Sequence, residues 1–269
     1  MTSASQFYQE GQLEQAIKAI QDEIKKDPTN TSKRGFLAEL LCFDGELDRA
    51  DKQLDVITSQ ELEAAAGLAF WRQVIRAEQA RQDFFSSGRA PHFIGEPTPM
   101  IENLIKASIA IREGSWEEAN ELIAAAEESR INIDVKCNGE SAEDFRDLDD
   151  LTSGVLEVMA NNGKYYWIDF SQINHVEFLP PERPIDLLWR KAAIDVREGP
   201  EGEVFIPTIY NPIPYLQEGD GDPLAKLGRK TEWSQDEDKP LRGIGLKAFL
   251  VGEEMKTIMD IDTLEITRS

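Results

Sequence analysis

Histidine and cysteine are scarce in this 269-residue chain, which has two of each. A histidine metal site would need both His92, in a proline-rich loop, and His175, on an expected strand, so no metal is expected. Cys42 and Cys137 are too few and too far apart for a disulfide framework, and two buried thiols in a cytosolic protein are the expectation. Long apolar runs are missing too. No stretch reaches the roughly 18 apolar residues of a membrane span, and the first twenty residues lack the basic and apolar regions of a secretion signal. A cytoplasmic location follows, and the Asn30-Thr31-Ser32 sequon is expected to be a turn. Basic charge is short in both halves: 16 Lys and Arg against 30 Asp and Glu over 1–150, then 13 against 21, for a net charge of −22. Chains that neutralise phosphates concentrate Lys and Arg on one face, so neither nucleic acid nor an anionic membrane is an expected partner. The field of this chain attracts basic partners instead.

Catalytic signatures are equally absent. The sequence has no G-x-S-x-G elbow, P-loop, H-E-x-x-H or C-x-x-C. Gly243-Ile244-Gly245 resembles part of a dinucleotide fingerprint, but it follows a charged loop and leads into an expected strand, the reverse of the required context. It is expected to be a turn or bulge, and Gly219-Asp220-Gly221-Asp222-Pro223 a flexible acidic turn. No catalytic residue and no cofactor is assigned.

What the first half does have is a repeat. Gly11-Gln12-Leu13-Glu14-Gln15-Ala16 is matched 34 residues later by Gly45-Glu46-Leu47-Asp48-Arg49-Ala50, and again by Gly114-Ser115-Trp116-Glu117-Glu118-Ala119. Thirty-four is the tetratricopeptide period. Each glycine suits the turn between two antiparallel helices, and each alanine the point where those helices approach most closely. Helices are expected over 3–9, 13–26, 31–43, 47–58, 61–85, 99–112 and 116–129, with Leu68, Trp71, Val74 and Ile75 facing the core of the least regular one. Arrays of this kind leave a groove lined by the first helix of each unit. By repeat spacing Glu39, Phe43, Ser108 and Arg112 line it, and an amphipathic helix or extended peptide is the kind of ligand it suits.

Segment 138–152 holds a concentration of carboxylates around Phe145 and Leu148 and is expected to link two domains, 1–137 and 153–269. From 153 onward the pattern changes to short apolar runs. Strands are expected over 155–160 and 165–170 around Asn162-Gly163, then 173–178, 191–196, 203–207, 248–252 and 256–261, with a helical turn at 186–189. The fold class is α+β: an N-terminal tetratricopeptide-like helical repeat domain followed by a small antiparallel β-rich domain.

Several separated motifs, in order along nearly the whole chain, resemble one family. They are Phe36 to Leu54 around Gly45 and Ala50, Tyr165-Tyr166-Trp167-Ile168 to Phe178, Asp186-Leu187-Leu188-Trp189-Arg190, Gly199 to Pro207, and Leu227-Gly228-Arg229-Lys230-Thr231-Glu232-Trp233. Together they are similar to the TagJ, ImpE or SciE accessory proteins of bacterial type VI secretion. The resemblance implies a non-enzymatic cytoplasmic adaptor. Its implied partners are the small contractile-sheath subunit (TssB/VipA-like), through a helical segment, and the ClpV ATPase that recycles sheath. It carries over no catalytic residues. Trp167, Trp189, Arg190, Pro207 and Trp233 are expected to be core and turn residues; the alternative is an interaction surface. A pocket near Trp167, Trp189 and Arg190, serving a small-ligand sensor or enzyme, is the alternative function.

Overall fold

Apolar residues recur at three- and four-residue spacing through the first 128 positions, and each such run forms a helix. The computed structural model describes residues 3–61, 63, 65–211, 222–234, 236 and 238–268. The helices are α1 (Ala4–Gln9), α2 (Leu13–Lys26), α3 (Thr31–Phe43), α4 (Leu47–Gln60), α5 (Ala65–Ser87), α6 (Pro99–Glu113) and α7 (Trp116–Glu128). On α2 the buried residues Leu13, Ala16, Ile17, Ile20 and Ile24 make one stripe, and Lys25 and Lys26 sit at the negative end of the helix dipole. Ser3, Asn30 and Thr98 cap α1, α3 and α6 by accepting from the backbone N–H three residues on. The asparagine of the sequon is therefore a helix cap.

The glycine and alanine spacing has a direct structural counterpart. Gly11, Gly45 and Gly114 adopt φ of +80°, +78° and +75° at the turns joining α1 to α2, α3 to α4 and α6 to α7. A side chain there would strain the backbone. Ala16, Ala50 and Ala119 are each 0% exposed. The expected helix over 61–85 begins later, as α5; Leu62 and Ala64 lie outside the described residues. Val74 and Ile75 are buried as expected, whereas Leu68 and Trp71 are half-buried.

The strands are β1 (Ile133–Cys137), β2 (Glu140–Ala142), β3 (Phe145–Asp147), β4 (Val155–Ala160), β5 (Tyr165–Asp169), β6 (Ile173–Phe178), β7 (Trp189–Val196), β8 (Glu201–Pro207), β9 (Thr231–Trp233), β10 (Gly243–Gly245), β11 (Ala248–Val251), β12 (Glu254–Thr257) and β13 (Thr263–Arg268). A 3-10 turn, Pro184–Leu187, precedes β7, and a short helix, α8 (Pro223–Lys226), precedes β9. The largest sheet runs β2-β1-β13-β6-β7-β8-β4-β5, with β12-β11-β3 and β10-β9 as smaller sheets. These named strands pair antiparallel, so the chain is α+β. In the β4–β5 hairpin, Gly163 takes φ of +83° in the Asn-Gly turn.

Three local expectations change. Segment 138–152, read as a linker, contains β2 and β3 and buries Asp147 and Asp149 at 1% and 0% exposure. Its aspartates find cations inside the protein, which makes burial tolerable. Gly243–Gly245 is a strand against β9, and its first glycine admits the Tyr210 ring: a Cβ there would lie 2.2 Å from Tyr210 Cε2. The strand expected at 256–261 is limited to Glu254–Thr257, while Ile258 and Ile261 are core residues. Gly219, Asp220 and Gly221 of the acidic turn lie outside the described residues; Asp222 caps α8.

Between α5 and the sheets lies a buried ionic network. Glu157 on β4 accepts from Arg81 Nε at 2.8 Å, Lys247 Nζ at 2.7 Å and the Tyr165 hydroxyl at 2.5 Å. Lys247 also reaches Asp147 at 2.9 Å, which accepts from Tyr210 and Thr152 as well. Arg242 Nε donates to both oxygens of Asp149 at 2.8 Å. The guanidinium carbons of Arg81 and Arg242 lie 5.7 and 5.8 Å from the Phe85 ring, joining the two parts. Glu78 completes the set through Arg81 at 3.3 Å and the Trp189 indole N–H at 3.2 Å.

Four carboxylates thus meet three cations, and Glu157 and Glu78 titrate in opposite directions. Burial opposes the charge on Glu157, but Arg81 and Lys247 more than compensate and hold it well below the ordinary carboxylate range. Burial pushes Glu78 up, Arg81 offsets this only in part, and the Glu157 charge adds to the rise. Glu157 therefore contributes stability above the ordinary glutamate pKa, lost as pH falls toward its folded value. Glu78 contributes below the ordinary pKa and less as pH rises through its folded value. Glu157→Gln is expected to cost about 3–5 kcal/mol at neutral pH, since it takes from Arg81 and Lys247 the carboxylate they share and leaves each with one other, Glu78 and Asp147. Glu78→Gln should cost much less and should remove the decline on the alkaline side. Urea denaturation across pH measures both.

Candidate partner interface

The four positions assigned to a groove do not line an open one. Ser108 is 3% exposed and donates to the Ile105 carbonyl on its own helix. Arg112 is half-buried and reaches from α6 to the Phe84 carbonyl in the last turn of α5 at 3.2 Å, so it closes a helix C-terminus. Phe43 is 5% exposed and packs against Tyr8, ring centroids 6.0 Å apart. Glu39 is 9% exposed and is paired with Arg183, which comes from the loop before the 3-10 turn. Burial raises the pKa of Glu39, and Arg183 pulls it back.

The chain's own second half covers this face. All seven residues from Leu37 to Phe43 are buried, because α3 is enclosed by α2, α4 and the 3-10 turn. Arg229 donates to the carbonyls of Tyr8 and Gln9 at 2.8 and 2.7 Å, capping α1, and its guanidinium lies 4.8 Å from the Tyr8 ring centre. Lys226 on α8 pairs with Asp44, and Leu224 fits against Gly11, where a Cβ would come within 2.6 Å of it. The contacts from Arg183, Lys226 and Arg229 are basic groups placed on acidic or carbonyl-rich positions of the helices. Sequence reasoning missed them. The available signal was a lone arginine in Pro180-Pro181-Glu182-Arg183-Pro184, in a chain otherwise dominated by acid.

In the β-rich part, Trp167 and Trp189 are 0% exposed and Arg190 is 2% exposed. Arg190 donates to the carbonyls of Leu179, Ile258 and Ile261, so it joins loops rather than facing a ligand. Trp167 donates to the Tyr165 hydroxyl, and its ring meets Phe84 edge-on at 4.7 Å. Pro207 is buried at the end of β8, and Trp233 is half-buried against Tyr210. The pocket offered by the alternative reading is thus filled by the residues meant to line it. Cys42 and Cys137 are buried free thiols whose pKa burial raises. Among the described residues no group of three His, Cys, Asp or Glu is placed to hold a metal, and no helix is long and apolar enough to cross a membrane.

The arrangement defines an α+β protein in which helical hairpins are fastened to an antiparallel β-rich part by buried charge. Comparisons with known proteins show what it is similar to. The family model described as ImpE protein matches residues 139–265. The type VI secretion system accessory component TagJ of Pseudomonas aeruginosa PAO1 is 28% identical over 262 residues, covering 97% of this chain and 90% of that protein. The crystal structure of protein VPA1032 from Vibrio parahaemolyticus is similar with a TM-score of 0.90 and 30% identity, covering 99% of this chain and 98% of that one. The chain thus matches the ImpE family model over its β-rich half and is similar to TagJ along nearly its whole length.

Arg112 sets a condition on any interface mapping. Arg112→Glu removes a donor from a helix C-terminus and places an anion beside it, so it is expected to lose about 1–2 kcal/mol of stability. Chemical denaturation of the variant measures that loss before any binding change is ascribed to a partner.

Proposed function

We propose that this protein is a non-enzymatic cytoplasmic adaptor of bacterial type VI secretion. It binds a helix of the small contractile-sheath subunit and links that subunit to sheath recycling by the ClpV ATPase. The observation that carries the reading is the end-to-end similarity to TagJ, a protein named as an accessory component of that system. A tetratricopeptide-like array suits a helical ligand, because its stacked hairpins present an extended continuous face along which a partner helix can lie. The net charge of −22 favours a basic one.

Within this proposal, residues 1–137 form the helix-binding domain and 153–269 the β-rich domain, with 138–152 between them. Of the groove positions Glu39, Phe43, Ser108 and Arg112, Glu39 is the one whose charge answers a partner, being met in the isolated chain by Arg183; Phe43 packs α3 on α1, and Ser108 and Arg112 lie on α6, the latter joined to the end of α5. The two domains should be tested together. A fragment ending near residue 150 would leave Glu78, Arg81, Asp147 and Asp149 without Glu157, Arg242 and Lys247.

Calorimetric titration of the full chain with a peptide of the sheath subunit's helical segment tests the reading. Saturable binding at micromolar concentration or tighter is expected, about −8 kcal/mol. A scrambled peptide binding equally well would remove the proposal. Retention of ClpV by the immobilised full chain, with and without sheath subunit, tests the link to recycling.

A further inference from the structure

Glu39 is a carboxylate built into a wall. It lies on a fully buried stretch of α3, its side chain is 11% exposed, and Arg183 is the cation paired with it among the described residues. A buried carboxylate left without a cation is costly, so this position requires a positive partner. Across from it, the half-buried Trp71 of α5 presents its ring to the same guanidinium, whose central carbon lies 5.1 Å from the ring centre. Trp71 is itself held by Trp189 and Phe205, centroids 6.3 and 5.8 Å away. A carboxylate on α3 and an aromatic face on α5 thus meet at one guanidinium.

The cation that fills the position is held much more loosely than the walls. The Arg183 side chain is 51% exposed and comes from an exposed loop. Its backbone is fixed, because Asp186 accepts from the N–H groups of Glu182 and Arg183, both at 2.9 Å. The side chain can therefore leave by rotating about its own torsions while the main chain stays in place. Only the arginine of the pair reaches solvent, so it can be exchanged for another cation but not simply lost, since Glu39 stays buried.

We propose that Glu39 and Trp71 form a guanidinium receptor, occupied in the isolated chain by Arg183, and that an arginine on the bound partner helix takes the place of Arg183. Arginine rather than lysine is the fitting group, since its planar head stacks on an indole while donating sideways to a carboxylate. The exchange rests on the helix-binding reading above and gives it a chemical requirement. It also explains why a residue at a groove position is buried here: the chain supplies its own stand-in.

The test uses the full chain in three forms: wild type, Arg183→Ala, and Arg183→Ala with Glu39→Gln. The probes are methylguanidinium and the sheath-helix peptide. Methylguanidinium at low concentration is expected to raise the melting temperature of Arg183→Ala saturably, and to leave the wild type and the double variant unchanged. Arg183→Ala should bind the peptide on the order of tenfold tighter than wild type, because no internal group competes, and the double variant should lose that gain. Absence of a methylguanidinium response in Arg183→Ala overturns the receptor, as does equal peptide affinity in all three forms, a result that leaves the adaptor function standing. A methylguanidinium response with no peptide binding in any form supports the receptor and overturns the helix-binding reading.

Discussion

Glu157 holds the molecule together from its centre. It draws Arg81 from α5 and Lys247 from just before β11 to one strand of the largest sheet, and its loss would leave Arg81 with Glu78 and Lys247 with Asp147 as their remaining carboxylate partners. An apolar contact between the helices and the sheets could slide; a set of directional, charged bonds in a low-dielectric interior admits one arrangement. Phe85, between the guanidinium groups of Arg81 and Arg242, extends that constraint to Asp149 and thus to the segment leading into β4. The position of α5 relative to the sheets follows, and with it the position of Trp71 relative to α3.

The charged contacts between the two halves fall into two kinds. Those of Glu78 and Arg81 on α5 are buried. Those at the end of α1 and along α3 to its C-terminus come from Arg229, Arg183 and Lys226, which are exposed. A partner could replace the second kind without disturbing the first. This division suits an adaptor, which must keep its architecture while changing what one face touches.

Much of the fold was legible because it depends on periodicity. Glycine at the turn and alanine five residues later identify helical hairpins from two steric facts, and Asn162-Gly163 between apolar runs identifies a hairpin from one. Strands β3 and β13 were not legible, since β3 pairs with β11 and β13 with β1, each more than a hundred positions away. Burial of Asp147 and Asp149 was hidden for a related reason: a run rich in carboxylates reads as solvated unless the cations that enclose it, Arg242 and Lys247, are already placed. Glu157 had a faint signal as the one charge in Val155-Leu156-Glu157-Val158-Met159. At the candidate site, repeat spacing found Glu39 but could not show that the chain covers it with its own arginine, because a loop 144 residues away provides it.

The pairing of β1 with β13 has a consequence for how the protein is made. Strand β1 follows the helices directly, yet its neighbour in the sheet is the last strand of the described chain, and the carboxylates of β3 and β4 wait for Lys247. During synthesis the helical hairpins can form early, because their contacts are local, but the ionic centre stays open until Lys247 has left the ribosome. Such long-range closure slows folding and lengthens the interval in which apolar strands are exposed. The nascent chain therefore passes through a stage with helices folded and sheet unfinished, when it depends most on chaperones.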